Sequence, residues 1–242
     1  MGRFAVEPTQ TGLTTWCPRL VPDLPTASTM KLMDEAAQHI ARFTDDEKRA
    51  FAECQIQHGI LQQQMWQAAL LIHGFQVIST KHQWVFEESN AKNTPAWREP
   101  ASHTQVLSTQ TSPALEAAYI NTVSGSLDKA LVIETRGGEG IGDFDFVLTK
   151  QDDQHNILGL CVCEHNQKTG SAWIKYLGIC PQARQNGHAC ALLAAALREF
   201  KNRNVSKIYS LTDDENTPSI NTHIKLGFRQ TETSFSTLYY VP

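Results

Sequence analysis

The sequence predicts an α/β protein: a mixed, mostly antiparallel sheet flanked by helices, with a helical extension at its N-terminal side. Three observations carry this. From Asp143 onward, the apolar runs FDFVLTK, ILGLCVC and SAWIKYLGIC alternate with short polar connectors, which is the pattern of an antiparallel meander. A helical run follows, with Ala189, Leu192, Leu193, Ala196, Leu197 and Phe200 at three- and four-residue steps. Earlier in the chain, Met30, Met33, Ala37, Ile40 and Ala41 also share one helical face.

Composition narrows the class. The 242 residues are 41% hydrophobic and 19% charged, which suits a packed core and excludes a disordered polyelectrolyte. Twenty-one basic residues face 25 acidic ones, a net charge of −4, so no nucleic-acid partner is expected. Six cysteines, at 17, 54, 161, 163, 180 and 190, form no Cys-x-x-Cys pair. Cys161 and Cys163 read as small buried residues, no metal site is expected, and reduced thiols point to the cytoplasm. The stretch MGRFAVEPTQ is read as carrying no signal peptide, and Val6 stands where myristoylation wants Ser or Thr. No membrane span is expected.

Taken in order, residues 1–28 are broken by Pro8, Pro18, Pro22 and Pro25 and read as an irregular arm. A helix is expected from about Thr29. Thr44-Asp45-Asp46-Glu47 has the form of a capping box, which predicts a second helix through Phe51, Cys54, Leu61, Met65 and Ala68 to about Ile72. Strand-like Phe75–Ser79 and Gln83–Glu87 follow. The main boundary falls in residues 89–104, so residues 29–100 form the mainly helical extension and 103–242 the principal domain.

Within that domain, a short strand is expected near Gln105–Ser108, a helix at Pro113–Asn121, and a strand at Leu131–Glu134. Gly137–Gly142 (GGEGIG) looks like a phosphate loop, but Phe144, Phe146 and Leu148 follow it in period two. A phosphate loop opens a helix, so this segment reads as a turn. After the meander and its helix come a strand at Lys207–Leu211, a short helix over Pro218–Leu226 ended by Gly227, and closing strands over Phe228–Val241.

The chemistry concentrates between the third meander strand and the helix, in Pro181-Gln182-Ala183-Arg184-Gln185-Asn186-Gly187-His188-Ala189. Backbone N–H groups at a helix start are unpaired and favour phosphate oxygens. Gly187 lets a ligand approach closely, Ala189 keeps the next position small, and Arg184 offers a cation.

Arg184-x-x-Gly187-x-Ala189, after a strand ending Leu177-x-Ile179, resembles the acyl-CoA signature of the GNAT superfamily of N-acyltransferases. Downstream, Asn216, His223 and Gly227-Phe228 resemble the family's Asn…Tyr-x-x-x-Gly-Phe pattern. The resemblance covers Asp143–Val241 and extends back toward His103. It implies a sheet splayed between its fourth and fifth strands, with acetyl-CoA as co-substrate in the gap. It further implies that main-chain groups of Leu177 and Ile179 pair with the pantetheine arm. The N–H groups of Gln185, Asn186, Gly187, His188, Ala189 and Cys190 would hold the pyrophosphate beside Arg184, and Asn216 would hydrogen-bond the pantetheine.

His223 departs from the family pattern, standing where a tyrosine often donates a proton to the leaving thiolate. Histidine can serve as that acid, or it can be a packed residue. The base is open as well. The strand Ser171–Cys180 holds no carboxylate but offers Lys175 and Tyr176, while Glu164 and His165 lie at the end of the preceding strand. The acidic run Asp213-Asp214-Glu215 either draws in a cationic amine or satisfies a helix dipole. Trp173 and Phe144 are cleft or core residues. The implied activity is acetyl transfer to an amine, of a small molecule or a protein, and the resemblance implies a homodimer. The alternatives are an acyl-CoA-binding module and an interaction protein on the same fold. Residues 29–100 contain one echo of the domain: Leu71-Ile72-His73-Gly74-Phe75 before a strand resembles the Gly227-Phe228 step. This leaves a degenerate second copy open beside the helical extension.

Overall fold

The computed structural model describes residues 7–8, 14–16, 30–31, 34–35, 37–38, 50–57, 61–87, 104–107, 110, 112–123, 144–167 and 169–240. The chain divides into two compact units. One contains residues 1–82 and 232–242, the other 83–133 and 139–231. The expected strand at Leu131–Glu134 and turn at Gly137–Gly142 lie outside the described residues.

The larger unit is built from β5 (Thr104–Leu107), α2 (Pro113–Val123), β6 (Phe146–Gln151), β7 (Ile157–Asn166), β8 (Ser171–Ile179), α3 (His188–Asn202), β9 (Lys207–Asp213) and α4 (Thr217–Lys225). It also holds the ends of two longer strands: Gln83–Glu87 of β4 (Phe75–Glu87) and the first residues of β10 (Arg229–Tyr240). The strand order in this unit is β10-β4-β9-β8-β7-β6-β5. Strands β5 to β8 form the expected antiparallel meander, and β9 joins β8 in parallel. The sheet is therefore mixed and mostly antiparallel, as the sequence predicts.

Helices cover both faces. On one, Leu192, Leu193, Leu197 and Phe200 of α3 are buried against Phe146, Leu148, Cys161, Cys163, Ile174 and Ile208. Each such side chain contributes roughly 2 kcal/mol relative to leaving it exposed. Cys161 and Cys163 are thus core residues, and burial pushes the Cys163 thiol up. Arg203 lies over the Phe146 ring at 4.2 Å and pairs with Glu199 at 2.9 Å, which closes the end of α3. On the other face, Leu115 and Ala118 of α2 pack on Val147, Leu160 and Val162.

The irregularity that matters lies in β8. Val162 of β7 faces Tyr176 and Cys163 faces Ile174, so Lys175 is an extra residue, a β-bulge. The parallel pairing of β8 with β9 runs only from Ser171/Lys207 to Ile174/Ser210. Beyond it β8 continues to Ile179 and β9 to Asp213 without pairing to each other. The sheet opens there.

The smaller unit has the strand order β1-β2-β3-β10-β4, with β1 (Glu7–Pro8), β2 (Thr14–Trp16) and β3 (Ala50–Gln57). Strands β1 and β2 are antiparallel, β2 and β3 parallel, and Thr233–Tyr239 of β10 runs antiparallel to β3. Met30, Lys31, Asp34, Glu35, Ala37 and Gln38 are helical, as expected from Thr29 onward. The long helix expected from Thr44 to Ile72 is replaced by β3 and a shorter α1 (Leu61–Ile72). The reason is legible afterwards: Ala50, Ala52, Cys54 and Ile56 alternate in period two, which a capping-box reading overrides. This unit is thus strand-bearing rather than mainly helical. Among the described residues, no helix is long and apolar enough to cross a membrane.

Candidate functional site

The opening beside β8 leads directly into the crossover singled out by the sequence. Cys180 closes the strand by donating its N–H to Leu158 O at 2.8 Å. A 3-10 turn at Pro181–Ala183 follows, with Ala183 buried. Gln185 (φ 65°) and Gly187 (φ 77°) then turn the chain through the left-handed region into α3. A Cβ on Gly187 would meet nothing within 4 Å, so the residue faces open space, and the need for glycine is conformational.

The start of α3 is open in a second sense. Gly187 supplies no side-chain cap, and no acidic residue stands in the first turn. The first helical bond is Ala191 N–H to Gly187 O at 3.1 Å, so the N–H groups of His188, Ala189 and Cys190 have no intrahelical acceptor. These donors and the positive end of the dipole suit an anion. Burial, with Lys150 nearby, lowers the His188 pKa.

Arg184 is partly committed. Its Nε donates to Ile179 O at 3.1 Å and its Nη2 to Thr122 O at 3.4 Å, which ties the crossover to the end of α2. Its remaining N–H groups are on an exposed side chain. Leu177, Ile179, Cys190 and Ile220 are half-buried against the core cluster, drawn from β8, α3 and α4.

Asn216 is the N-cap of α4, accepting from Ser219 N–H at 3.2 Å. This occupies its Oδ1 and leaves its amide N–H groups as donors. His223 is buried, with 1% exposure. Its Nδ1 lies 2.8 Å from Ser219 O and its Nε2 2.9 Å from Ser210 Oγ. A carbonyl only accepts, so Nδ1 carries the proton and Nε2 accepts from the Ser210 hydroxyl. Burial lowers the pKa of the ring despite the Ser219 bond. Trp84 of β4 and Phe228 pack on it, with centroids 5.9 and 4.9 Å away. Trp84 Nε1 donates to Thr212 Oγ1 at 2.6 Å, so this cluster links β4, β9 and α4.

The base candidates separate. Glu164, half-exposed, pairs with Lys175 at 3.0 Å, and Lys175 is the bulge residue where the sheet starts to open. The backbone N–H of His165 donates to the Asp145 carboxylate. Tyr176 shares a hydrogen bond with Thr122 Oγ1 at 2.8 Å and stacks edge-on with Tyr119. Burial pushes its hydroxyl up to about 12, so it stays neutral and joins β8 to α2. An added Cβ at Gly178 would lie 2.4 Å from Tyr176 Oη, so glycine there makes room for the ring. Asp213 accepts from Glu215 N–H at 3.2 Å, which gives part of the acidic run a turn-forming role. Trp173 stacks on Tyr209 at 5.1 Å, and Phe144 packs beside the α2 cluster.

Sequence reasoning missed Ser210, Thr122 and Trp84. Ser210 sits at an inward position of β9 and could have been found from strand alternation. Thr122 and Trp84 meet their partners only through tertiary pairing. Among the described residues, no His, Cys, Asp and Glu cluster could hold a metal ion.

Comparison with known proteins places the geometry. The model of the acetyltransferase (GNAT) family matches residues 128–228. A GCN5-related N-acetyltransferase from Sphaerobacter thermophilus aligns at TM-score 0.65 and 14% identity, over 98% of this chain and 75% of its own. A GCN5-related N-acetyltransferase from Kribbella flavida aligns at 0.63 and 12%, over 100% and 90%. A tandem GNAT protein from the clavulanic acid biosynthesis pathway aligns at 0.65 and 14%, over 98% and 78%. No curated protein matches in sequence. At these identities the likeness is one of fold, and with the family match it leads to one conclusion: residues 128–228 of this chain belong to the GNAT acetyltransferase family.

Proposed function

We propose that the chain is an acyl-CoA-dependent N-acyltransferase, using acetyl-CoA and an amine acceptor. One observation carries this reading. The edge of β8 beyond its pairing with β9, the glycine crossover and the uncapped start of α3 form a continuous run of main-chain groups. Acyl-CoA, when bound, supplies an activated thioester carbonyl. The chain's own groups do the rest. Leu177 offers its strand-edge N–H and C=O groups to the pantetheine amides, Ile179 offers its N–H, and Asn216 adds its side-chain amide. Residues Gln185 to Cys190 and Arg184 face the pyrophosphate. As the amine nitrogen bonds to the carbonyl carbon and the carbon–sulfur bond breaks, Glu164 takes the proton that the amine loses.

The hydrogen bonds of His223 support a packed role for it. A buried ring whose two nitrogens are both engaged holds α4 to β9, and water then supplies the thiolate's proton. That same observation favours one rival, a chain that binds acyl-CoA without turnover.

The test is thiol release from acetyl-CoA across a panel of small amines, polyamines and lysine peptides. The expected result is release with at least one amine. Glu164→Gln lowers kcat about 100-fold and leaves acetyl-CoA binding intact. Binding without release across the whole panel contradicts transfer and supports the rival.

A further inference from the structure

The first half of the chain repeats the order of the last six elements of the second. In the second half, β7 and β8 are antiparallel, helix α3 crosses over, and β9 joins β8 in parallel. Helix α4 and β10 complete it. In the first half, β1 and β2 are antiparallel, residues 30–31, 34–35 and 37–38 are helical, and β3 joins β2 in parallel. Helix α1 and β4 complete it.

The ends of the two final helices match in detail. His73 N–H bonds to Leu70 O at 3.1 Å and Gly74 N–H to Leu71 O at 3.2 Å. Leu226 N–H bonds to His223 O at 3.1 Å and Gly227 N–H to Ile224 O at 3.0 Å. Gly74 and Gly227 sit at φ 90° and 87°, and the next residue in each case, Phe75 or Phe228, is buried. The sequence repeats at the crossover too: Cys17-Pro18 follows β2 and Cys180-Pro181 follows β8. The last part of β4 belongs to the larger unit, where Trp84 bonds Thr212 and Glu87 pairs with Lys207 and Arg229. The last part of β10 belongs to the smaller unit, where it pairs with β3.

The crossovers differ where a pyrophosphate would bind. Between Gly12 and Gly59 the sequence has no glycine at all. In sequence, Pro18, Pro22 and Pro25 come after β2, and Ser28-Thr29 come just before Met30, where the second crossover has Asn186-Gly187 just before His188. Proline offers no N–H, glycine is the residue that takes a left-handed turn at least cost, and Ser or Thr favours capping a helix with its own oxygen. Each change takes from the sequence a feature that the second crossover offers an anion.

We infer that residues 7–87 are a second copy of the transferase unit whose acyl-CoA site has been lost, so that the chain takes up one acyl-CoA and not two. This rests on the acyl-CoA reading of the second copy.

Titration calorimetry of the full chain with acetyl-CoA tests it, with hydrogen exchange locating the bound molecule. The expected result is one equivalent, slowed exchange in residues 175–192 but not in 14–35, and no binding in Gly187→Glu. Two equivalents, or one surviving in Gly187→Glu with slowed exchange in 14–35, overturns the lost site and leaves the acyl-CoA reading standing. No binding by the wild-type chain overturns both.

Discussion

Helices α3 and α4 both follow a strand of the same sheet, yet they begin in opposite ways. At α4 every early N–H is accounted for. Thr217 donates to Glu215 O, Pro218 has no N–H, Ser219 donates to Asn216 Oδ1, and Ile220 to Asn216 O. At α3 the first helical bond is made by Ala191, and neither a cap nor an acidic side chain serves the residues before it. The backbone problem is identical at the two starts. An asparagine cap, a proline and a turn bond close one start, while a glycine leaves the other with unpaired N–H donors.

The first way to sharpen this contrast is at the closed end. His223→Phe removes the acceptor for Ser210 and the donor for Ser219 O inside the core. We expect a loss of about 2–3 kcal/mol, a drop of roughly 5–10 °C in Tm, and acetyl-CoA affinity unchanged within a few-fold. A loss of affinity with an unchanged Tm would give His223 a place in the site.

Acid sharpens the same point. Burial lowers the folded pKa of His223, so the unfolded chain binds its proton first. The stability this residue contributes is complete above the unfolded value of about 6.5. It is lost as pH falls through the folded value. Urea titrations from pH 7.5 downward should show a steeper loss for wild type than for His223→Phe.

Asn216→Ala opens the closed helix start and should cost about 1 kcal/mol, read by urea denaturation. The smallest effect is expected at the open one. His188→Asp places a carboxylate in the first turn of α3 and should stabilise the free chain by about 0.5 kcal/mol. The same change should weaken acetyl-CoA binding. Tighter binding in that variant would break the contrast.

Much of this was legible in the residues. The meander, α3 and α4 each carry a clean period, and Gly187 and Asn216 fall at the helix starts where spacing puts them. The bulge at Lys175 was not legible, because nothing in SAWIKYLGIC marks an extra residue before it is paired with β7. The strand β3 was hidden by a capping box next to it. The engagement of both His223 nitrogens needs Ser210 from β9, which no local pattern brings to α4. The partnership of β4 with β9 joins residues far apart in sequence and is a property of the fold.

The most direct test of the account is thermal unfolding with and without excess acetyl-CoA, for wild type and Gly187→Glu. The variant places a carboxylate in open space, and the positive φ costs about 1 kcal/mol. Without ligand it should therefore melt only slightly below wild type. At 100-fold over Kd a ligand stabilises by about 2.7 kcal/mol, or roughly 5–10 °C for a chain of this size. The account predicts that shift for wild type and none for Gly187→Glu. An equal shift in both would move the cofactor away from the start of α3, and no shift in wild type would contradict the acyl-CoA reading itself.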